Sequence, residues 1–183
     1  MCIRDSLSAV GGPTDGAATD SIIQEVDLRT GLVRREWHSL DHVSFAESYS
    51  VASATSTVWP FDYFHVNSID QQADGTTLIS SRNTWALYEL NTRTGQVFSQ
   101  IGGRHSSVKL APNASTAFQH DATALENGTI SVFDNGALPK VHPQSRGLVI
   151  AINHLSDTGT VVAQYEHPTP LSSGSEGLSL IHI

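Results

Sequence analysis

The chain of 183 residues is poor in several residue types, and each shortage narrows the class of protein. It has one cysteine, Cys2, so no disulfide framework can form within it. Only 10 lysines and arginines stand against 18 acidic residues, the net charge is −8, and no basic stripe is present. We therefore expect no nucleic-acid partner. No apolar run approaches the ~20 residues that a transmembrane helix needs, so we expect no membrane span in this segment.

Motifs of several common enzyme classes are also missing. No Gly-rich phosphate loop leads into a helix, and no Gly-x-Ser-x-Gly elbow is present. The histidines and carboxylates show no compact metal-ligand spacing, so we expect neither a metal nor another cofactor. No amphipathic helix of useful length stands out, whereas 39% hydrophobic and 15% charged residues are typical of a folded domain.

The two terminal hexapeptides are related at the level of DNA. Residues 1–6 back-translate as ATG TGT ATA AGA GAC AGN, and residues 178–183 as CTG TCT CTT ATA CAC ATC. The second string is the reverse complement of the first in another frame, and both look like a transposon end used in preparing sequencing libraries. We therefore expect both hexapeptides to be adapter artefacts, residues 7–177 to be native, and the native protein to continue beyond them.

A repeat is visible in the turn residues. Thr30-Gly31, Thr94-Gly95 and Thr158-Gly159 follow one another at intervals of 64 residues. Each is interpreted as the turn of a β-hairpin, because glycine adopts a positive φ at little cost. The strands of these hairpins are expected at 22–27 with 32–37, 85–90 with 96–101, and 147–152 with 160–165.

A second hairpin precedes each of the two later ones. Runs 64–69 and 76–81 flank one Asp-Gly pair, and runs 120–125 and 129–134 flank one Asn-Gly pair. Both dipeptides favour hairpin turns, since their residues tolerate positive φ. Four short antiparallel strands in succession are the build of a β-propeller blade.

These hairpins predict an all-β fold, namely about two and a half four-stranded blades of a β-propeller. Insertions are expected at 39–60 and 103–117, because the repeat is longer than the ~40–50 residues of common blades. So few blades cannot close a ring. Another antiparallel β array, such as a sandwich, is the alternative.

Two of the nine histidines, His65 and His120, lie at the start of the first strand of a blade. That strand is the innermost of the blade and lines the central channel. Arg82 closes the second strand of its blade, and Asn135 lies in the corresponding stretch of the next. With Asn67, these residues are expected to converge at one end of the channel, where a cation, imidazoles and amides suit a small oxyanion.

Other roles for the histidines remain open. A metal site built on His65 and His120 would need a third ligand, for which Asp134 is a weak candidate. The other native histidines are interpreted as blade-stabilising or solvent-exposed residues: His38, His42, His105, His142, His154 and His167.

Six short motifs resemble those of the arylsulfotransferase family in their order and spacing. They are FHVNSID at 64–70, LISSR at 78–82, IGG at 101–103, FQHDA at 118–122, FDNG at 133–136 and SRG at 145–147. Each motif alone is unspecific, but the six together cover roughly residues 20–170. The resemblance implies a six-bladed propeller that moves a sulfuryl group from an aryl sulfate to a phenolic acceptor, without a nucleotide sulfate donor.

The resemblance also implies roles for individual residues. His120, in the Gln-His motif, takes up the sulfuryl group, while His65, Asn67 and Arg82 hold the sulfate. A further family histidine lies in an earlier blade and has no match here, so we expect this segment alone to be inactive. A periplasmic or secreted location is favoured by the same resemblance.

Asn135 and Arg146 are added as expected substrate-binding residues, since both fall in the matching motifs. Sulfuryl transfer, like phosphoryl transfer, spreads negative charge over three oxygens, so an arginine and neutral donors suit it. We hypothesise that His65 supplies or removes the phenolic proton. The rival interpretations are a non-catalytic propeller that binds an anionic aromatic ligand or a partner protein, and a metal-dependent hydrolase.

Overall fold

The computed structural model describes residues 2–5, 7–55 and 58–178, and these ranges contain β-strands and single 3-10 turns but no α-helix. The all-β prediction is therefore confirmed. The chain divides into two compact units, Met1–His65 and Val66–Ile183. None of the described helices is long and apolar enough to cross a membrane.

The first unit consists of two antiparallel hairpins. Strand β1 (Cys2–Asp5) pairs with β2 (Gly16–Thr19), and β3 (Ile22–Val26) pairs with β4 (Val33–His38). The residues expected to be an artefact thus include a strand, and their exclusion from the native protein stays a prediction. Two 3-10 turns follow β4, within the expected insertion at 39–60.

The second unit contains two four-stranded antiparallel sheets whose strand order is the order of the sequence. The first sheet comprises β5 (Val66–Gln71), β6 (Thr76–Ser81), β7 (Ala86–Asn91) and β8 (Val97–Gly102). After the short strand β9 (Lys109–Leu110), the second comprises β10 (His120–Ala124), β11 (Thr129–Asp134), β12 (Arg146–Asn153) and β13 (Thr158–Glu166). Strand β9 pairs in parallel with the outer strand β13. Both sheets have the build of a propeller blade.

A continuous apolar core lies between these two sheets. Leu78 and Ile101 contribute from the first, and Val132, Leu148 and Ile150 from the second, all nearly fully buried. In β12 the buried positions alternate, as expected for a strand with one face on the core. Burial of such side chains stabilises the pairing of the sheets by about 1.5–3 kcal/mol each.

Side chains rather than a backbone ladder join the innermost strands of the two sheets. Asn67 donates to the carbonyl of Gln119 at 2.7 Å, and Ser68 accepts from the backbone N–H of Ala122 at 3.0 Å. Both β5 and β10 are bulged near their first residues. A bulge leaves residues out of the ladder and redirects their side chains, which is common beside active sites.

The third repeat turn departs from the prediction. Asn91 and Asn153 each accept from the N–H groups two and three residues on, so Asn153 is the equivalent of Asn91. The positive φ of 74° at Gly95 is taken in the third hairpin by Asp157, at 49°. The assignment of Thr158-Gly159 to the turn is therefore wrong, since both residues already belong to β13.

Gly159 lies against the side chain of Leu110 in β9. A Cβ at this position would lie 2.5 Å from Cδ2 of Leu110, so a larger residue here would require that side chain to shift. The Asn-Gly pair between β10 and β11 behaves as predicted, with φ of 61° at Asn127 and 70° at Gly128.

Candidate functional site

His120 is the first residue of β10 and is 9% exposed. Its Nδ1 lies 3.0 Å from the carbonyl oxygen of Phe118 and 2.8 Å from Oδ1 of Asn135. Both partners are acceptors, so Nδ1 carries the proton and donates to them. In the neutral ring the lone pair is then on Nε2, the atom that can act as a nucleophile.

The orientation of the Asn135 amide supports this tautomer. Its Nδ2 donates to the carbonyl oxygens of Ser173, at 3.1 Å, and Glu176, at 2.8 Å. The nitrogen side of the amide is thereby assigned, and Oδ1 faces His120. Asn135 follows β11 directly and is completely buried, so water does not compete for these bonds.

Gln119 attaches the start of β10 to the first sheet. The side chain is fully buried, and its Nε2 donates to the carbonyls of Ser81, at 2.9 Å, and Ala86, at 3.1 Å. These acceptors lie at the end of β6 and the start of β7. These hydrogen bonds of Gln119, the residue next to His120, therefore attach the backbone at His120 to β6 and β7.

The backbone around His120 is strained. Phe118 and Asp121 have φ of 55° and 54°, values that residues other than glycine seldom adopt. Each such residue costs on the order of 1–3 kcal/mol and persists only where its surroundings enforce it. The buried bonds of Gln119 and Asn135 supply that enforcement, and such strain is concentrated at functional sites.

Arg82 follows β6 directly and lies over the ring of Phe118, with Cζ 4.8 Å from the ring centroid. Its Nη1 donates to Oδ1 of Asn83 at 2.8 Å, and its Nη2 donates to the carbonyl of Gly174 at 3.2 Å. Phe118 thus contacts two of the expected functional residues, Arg82 through its ring and His120 through its carbonyl.

Asn67 contributes to the backbone at His120 rather than to the imidazole. Its Nδ2 donates to the carbonyl of Gln119, as described above. Its Oδ1 is buried and has no hydrogen-bond partner among the residues that the structure describes.

His65 belongs to the first unit and lies one residue before β5, whereas His120 opens β10. The expectation that both histidines open a strand is therefore wrong for His65. Its φ is 59°, its side chain is 45% exposed, and its Nδ1 lies 2.5 Å from Oδ2 of Asp62. The carboxylate of Asp62 orients the imidazole of His65, and Nε2 lies on the side of the ring that faces away from this contact.

Arg146 opens β12 and forms an ion pair with a fully buried carboxylate. Its Nε donates to Oδ2 of Asp134 at 2.8 Å, and its Nη2 donates to the carbonyl of Ser115 at 3.0 Å. His142 also contacts Asp134, with Nδ1 2.7 Å from Oδ2. These contacts give Arg146 a structural function, the neutralisation of Asp134, which the sequence did not indicate.

In the described part of the chain, no three His, Cys, Asp or Glu side chains lie close enough together to hold a metal ion. A groove of about 480 Å³ lies beside β11–β13, and no pattern in the sequence indicates it. Its lining residues include Phe133, Ser145, Arg146, Tyr165, His167 and Leu171.

The fold and the site define an all-β protein with a buried, oriented histidine and an arginine that both contact Phe118. The chain matches the model of the Arylsulfotransferase (ASST) family over residues 1–180, and it therefore belongs to the arylsulfotransferase family, as its motifs predicted. The matched range includes residues 1–6, so the adapter interpretation of the ends stays a prediction. No curated protein matches the chain.

Proposed function

We propose that the protein moves a sulfuryl group from an aryl sulfate to a phenolic acceptor through a sulfo-histidine formed at Nε2 of His120. The observation that carries this proposal is the pair of acceptors on Nδ1 of His120, at 2.8 and 3.0 Å, which leaves the lone pair on Nε2. An oriented nucleophile of this kind is the basis of covalent catalysis. Membership of the family supports an aryl sulfate as the donor class.

The proposed reaction has two displacement steps. In the first, the lone pair of Nε2 forms a bond to sulfur, the bond from sulfur to the aryl oxygen breaks, and the phenolate leaves with that electron pair. In the second, the oxygen of a deprotonated acceptor phenol attacks sulfur, and the bond from nitrogen to sulfur breaks. His120 returns to its neutral form, and the acceptor leaves as an aryl sulfate.

Nδ1 keeps its proton throughout these steps. When Nε2 bonds to sulfur, the ring acquires positive charge, and the N–H group at Nδ1 becomes a stronger donor. Asn135 and Phe118 already accept from it, so no group has to reorganise as the charge develops. Acceptors aimed at developing charge stabilise the transition state more than the ground state.

Arg82 is proposed to offset the negative charge of the sulfuryl oxygens. Its guanidinium is permanently charged and presents a planar set of donors. Contact with the ring of Phe118 holds it next to the residue that orients His120. For Asn67 and Asn135, predicted as substrate ligands, the contacts support a role in positioning His120 instead.

His65 is proposed to give a proton to the leaving phenolate and to take one from the acceptor. The contact with Asp62 favours a proton on Nδ1 of His65 and leaves Nε2 for exchange. A phenol has a pKa near 10, so modest assistance is sufficient. This role rests on the resemblance to the family and on the side chain's exposure.

The test is release of a chromogenic phenol from an aryl sulfate, with and without a phenolic acceptor, assayed with a full-length relative that contains this segment, since the segment alone is expected to be inactive. We expect acceptor-dependent release that falls by about 10³-fold or more in His120→Gln. His154→Gln, a change at a half-exposed histidine near Glu89, is the matched control. Folded protein without acceptor-dependent release from several donors would reject the proposal.

The groove supports a second candidate, a non-catalytic site for an anionic aromatic ligand. Phe133, Tyr165 and Leu171 give it apolar walls, and His167 adds an imidazole. Its size lies within the usual range for ligand sites, about 300–1,000 Å³. Binding of an aryl sulfate without turnover, weakened by Tyr165→Ala but not by His120→Gln, would favour this candidate.

A further inference from the structure

We infer that Asn135 is a positioning residue that sets the tautomer of His120, and that residues 171–177 fix the orientation of Asn135. The inference rests on the proposed function, because it explains how the nucleophilic nitrogen is kept unprotonated. It gives Asn135 a role other than the substrate contact that the sequence predicted.

An asparagine amide can present either its oxygen or its nitrogen to a neighbour. Here Nδ2 donates to two carbonyl oxygens, of Ser173 and Glu176, at 3.1 and 2.8 Å. A rotated amide would place Oδ1 against those carbonyls and Nδ2 against the N–H group of His120. Both contacts would be repulsive in a buried site, so only one orientation of Asn135 is compatible with its surroundings.

Residues 171–177 are themselves attached next to Asn135. Ser145 donates from Oγ to the carbonyl of Asn135 at 2.7 Å and accepts from the N–H group of Ser173 at 2.8 Å. Its own N–H donates to the carbonyl of Leu171 at 2.9 Å. A segment about 40 residues away in sequence therefore determines which atom of Asn135 faces His120.

The consequence for the imidazole is a preference between two neutral forms. With Oδ1 of Asn135 at Nδ1, the form that carries its proton on Nδ1 is stabilised. Without that acceptor, the carbonyl of Phe118 remains as the single partner, at 3.0 Å. The proton then moves more readily to Nε2, where it blocks the nucleophile.

The test is 15N NMR of the histidine side chains in labelled protein, with the signals of His120 assigned by His120→Gln. We expect the Nδ1–H form in the parent protein. In Asn135→Leu the populations shift toward Nε2–H, and transfer slows by about 10-fold to 100-fold. Asn153→Leu, an equal change in the β12–β13 turn, should leave the His120 signals in place.

Asn135→Asp is the second variant, because one of its oxygens keeps an acceptor at Nδ1 of His120 while the other replaces the donor that faces Ser173 and Glu176. We expect the Nδ1–H form to persist, and amide exchange at Ser173 to become faster because a carboxylate oxygen then faces two carbonyl oxygens. If Asn135→Leu does not fold, this combination supports the inference, and a shift to the Nε2–H form or unchanged exchange at Ser173 overturns it.

The two proposals can fail separately. An unaltered tautomer in Asn135→Leu, with sulfuryl transfer present in the parent, would overturn the positioning role and leave the proposed function intact. A tautomer that shifts as expected in a protein without transfer would support the control of His120 by Asn135 and overturn the proposed function.

Discussion

Arg82 and Phe118 form a cation–π contact in which the guanidinium carbon lies 4.8 Å from the ring centroid. The same phenylalanine accepts a hydrogen bond from His120 through its backbone carbonyl. One residue thus connects the charge that is proposed to hold the sulfuryl group with the atom that is proposed to attack it.

Phe118→Leu tests this connection, because it removes the ring and keeps the carbonyl. The lost cation–π energy, about 0.5–1 kcal/mol or more, leaves Arg82 less well fixed. We expect kcat/KM for the aryl sulfate to fall by about 3-fold to 10-fold. The tautomer of His120, read by 15N NMR, should be unchanged. Kinetics identical to the parent would mean that the contact does not position Arg82.

Arg82→Lys keeps the charge and removes the planar donor set. A lysine ammonium is a point charge that cannot match two oxygens at once. We expect kcat to fall by about 10²-fold, the usual effect of losing one preorganised donor in a transition state. Arg93→Lys, at an exposed turn, is the control and should retain parent kinetics. If Arg82→Lys turns over as fast as the control Arg93→Lys, the donor set of Arg82 does not contribute to the reaction.

Gln119→Leu removes a fully buried amide that bonds to β6 and β7. The buried carbonyls that lose their donor cost about 1–3 kcal/mol, so we expect the free energy of unfolding to fall by that amount. Urea unfolding measures it, with Gln96→Leu at an exposed position just before β8 as the control. A loss confined to activity, without lower stability, would show that Gln119 acts otherwise than through the fold.

Asp134→Asn tests the structural role assigned to Arg146. Asp134 is completely buried, and the change leaves the guanidinium of Arg146 without its counter-charge. Breaking one partner of a buried ion pair costs about 3–5 kcal/mol. We expect a loss of this size in thermal or urea unfolding. A loss below about 1 kcal/mol would place the pair among weak surface contacts.

His38 is expected to make the stability of the first unit depend on pH. The hydrogen bond that His38 donates to the carboxylate of Asp20 and, next, the one that it donates to Glu36 raise the pKa of His38 above its ordinary 6.5. Its Nδ1 lies 2.6 Å from Oδ2 of Asp20, and its Nε2 lies 3.1 Å from Oε2 of Glu36. The folded state therefore binds the proton more tightly than the unfolded state, which stabilises it at low pH.

This contribution is fully present below pH ~6.5 and is lost as pH rises through the raised pKa. Site-resolved amide exchange in β4 should show faster opening above that pKa, with the step absent in His38→Gln. Protection in β4 that does not change across the raised pKa would contradict the assignment.

Much of the second unit follows from local signals in the sequence. The pairs Asp74-Gly75 and Asn127-Gly128 mark their hairpins because their turn geometry is decided within four residues. The turn between β12 and β13 is not at the predicted residues, because there Asp157 adopts the positive φ that glycine has in the other hairpins. Asparagine and aspartate adopt positive φ more often than most other residues, so a repeat that is identified by its glycines can be missed where one of them takes that position.

The hydrogen bonds that support the site could not be predicted from the sequence, because their partners lie far apart along the chain. Nothing near Asn135 in sequence indicates that its amide is oriented by Ser173 and Glu176, 38 and 41 residues away. Likewise, an arginine in a family motif suggests an anion ligand, and only the fold shows that Arg146 neutralises Asp134. Residue type predicts which chemistry is available, and long-range packing decides which atoms face the reacting group.

The most direct measurement is mass spectrometry of the protein after brief mixing with an aryl sulfate in the absence of acceptor. We expect one added sulfuryl group on the peptide that contains His120, attached through Nε2, and its disappearance when a phenol is added. The adduct should be absent in His120→Gln. Acceptor-dependent transfer without any such adduct, or an adduct on another residue, would contradict the role of His120 as the nucleophile.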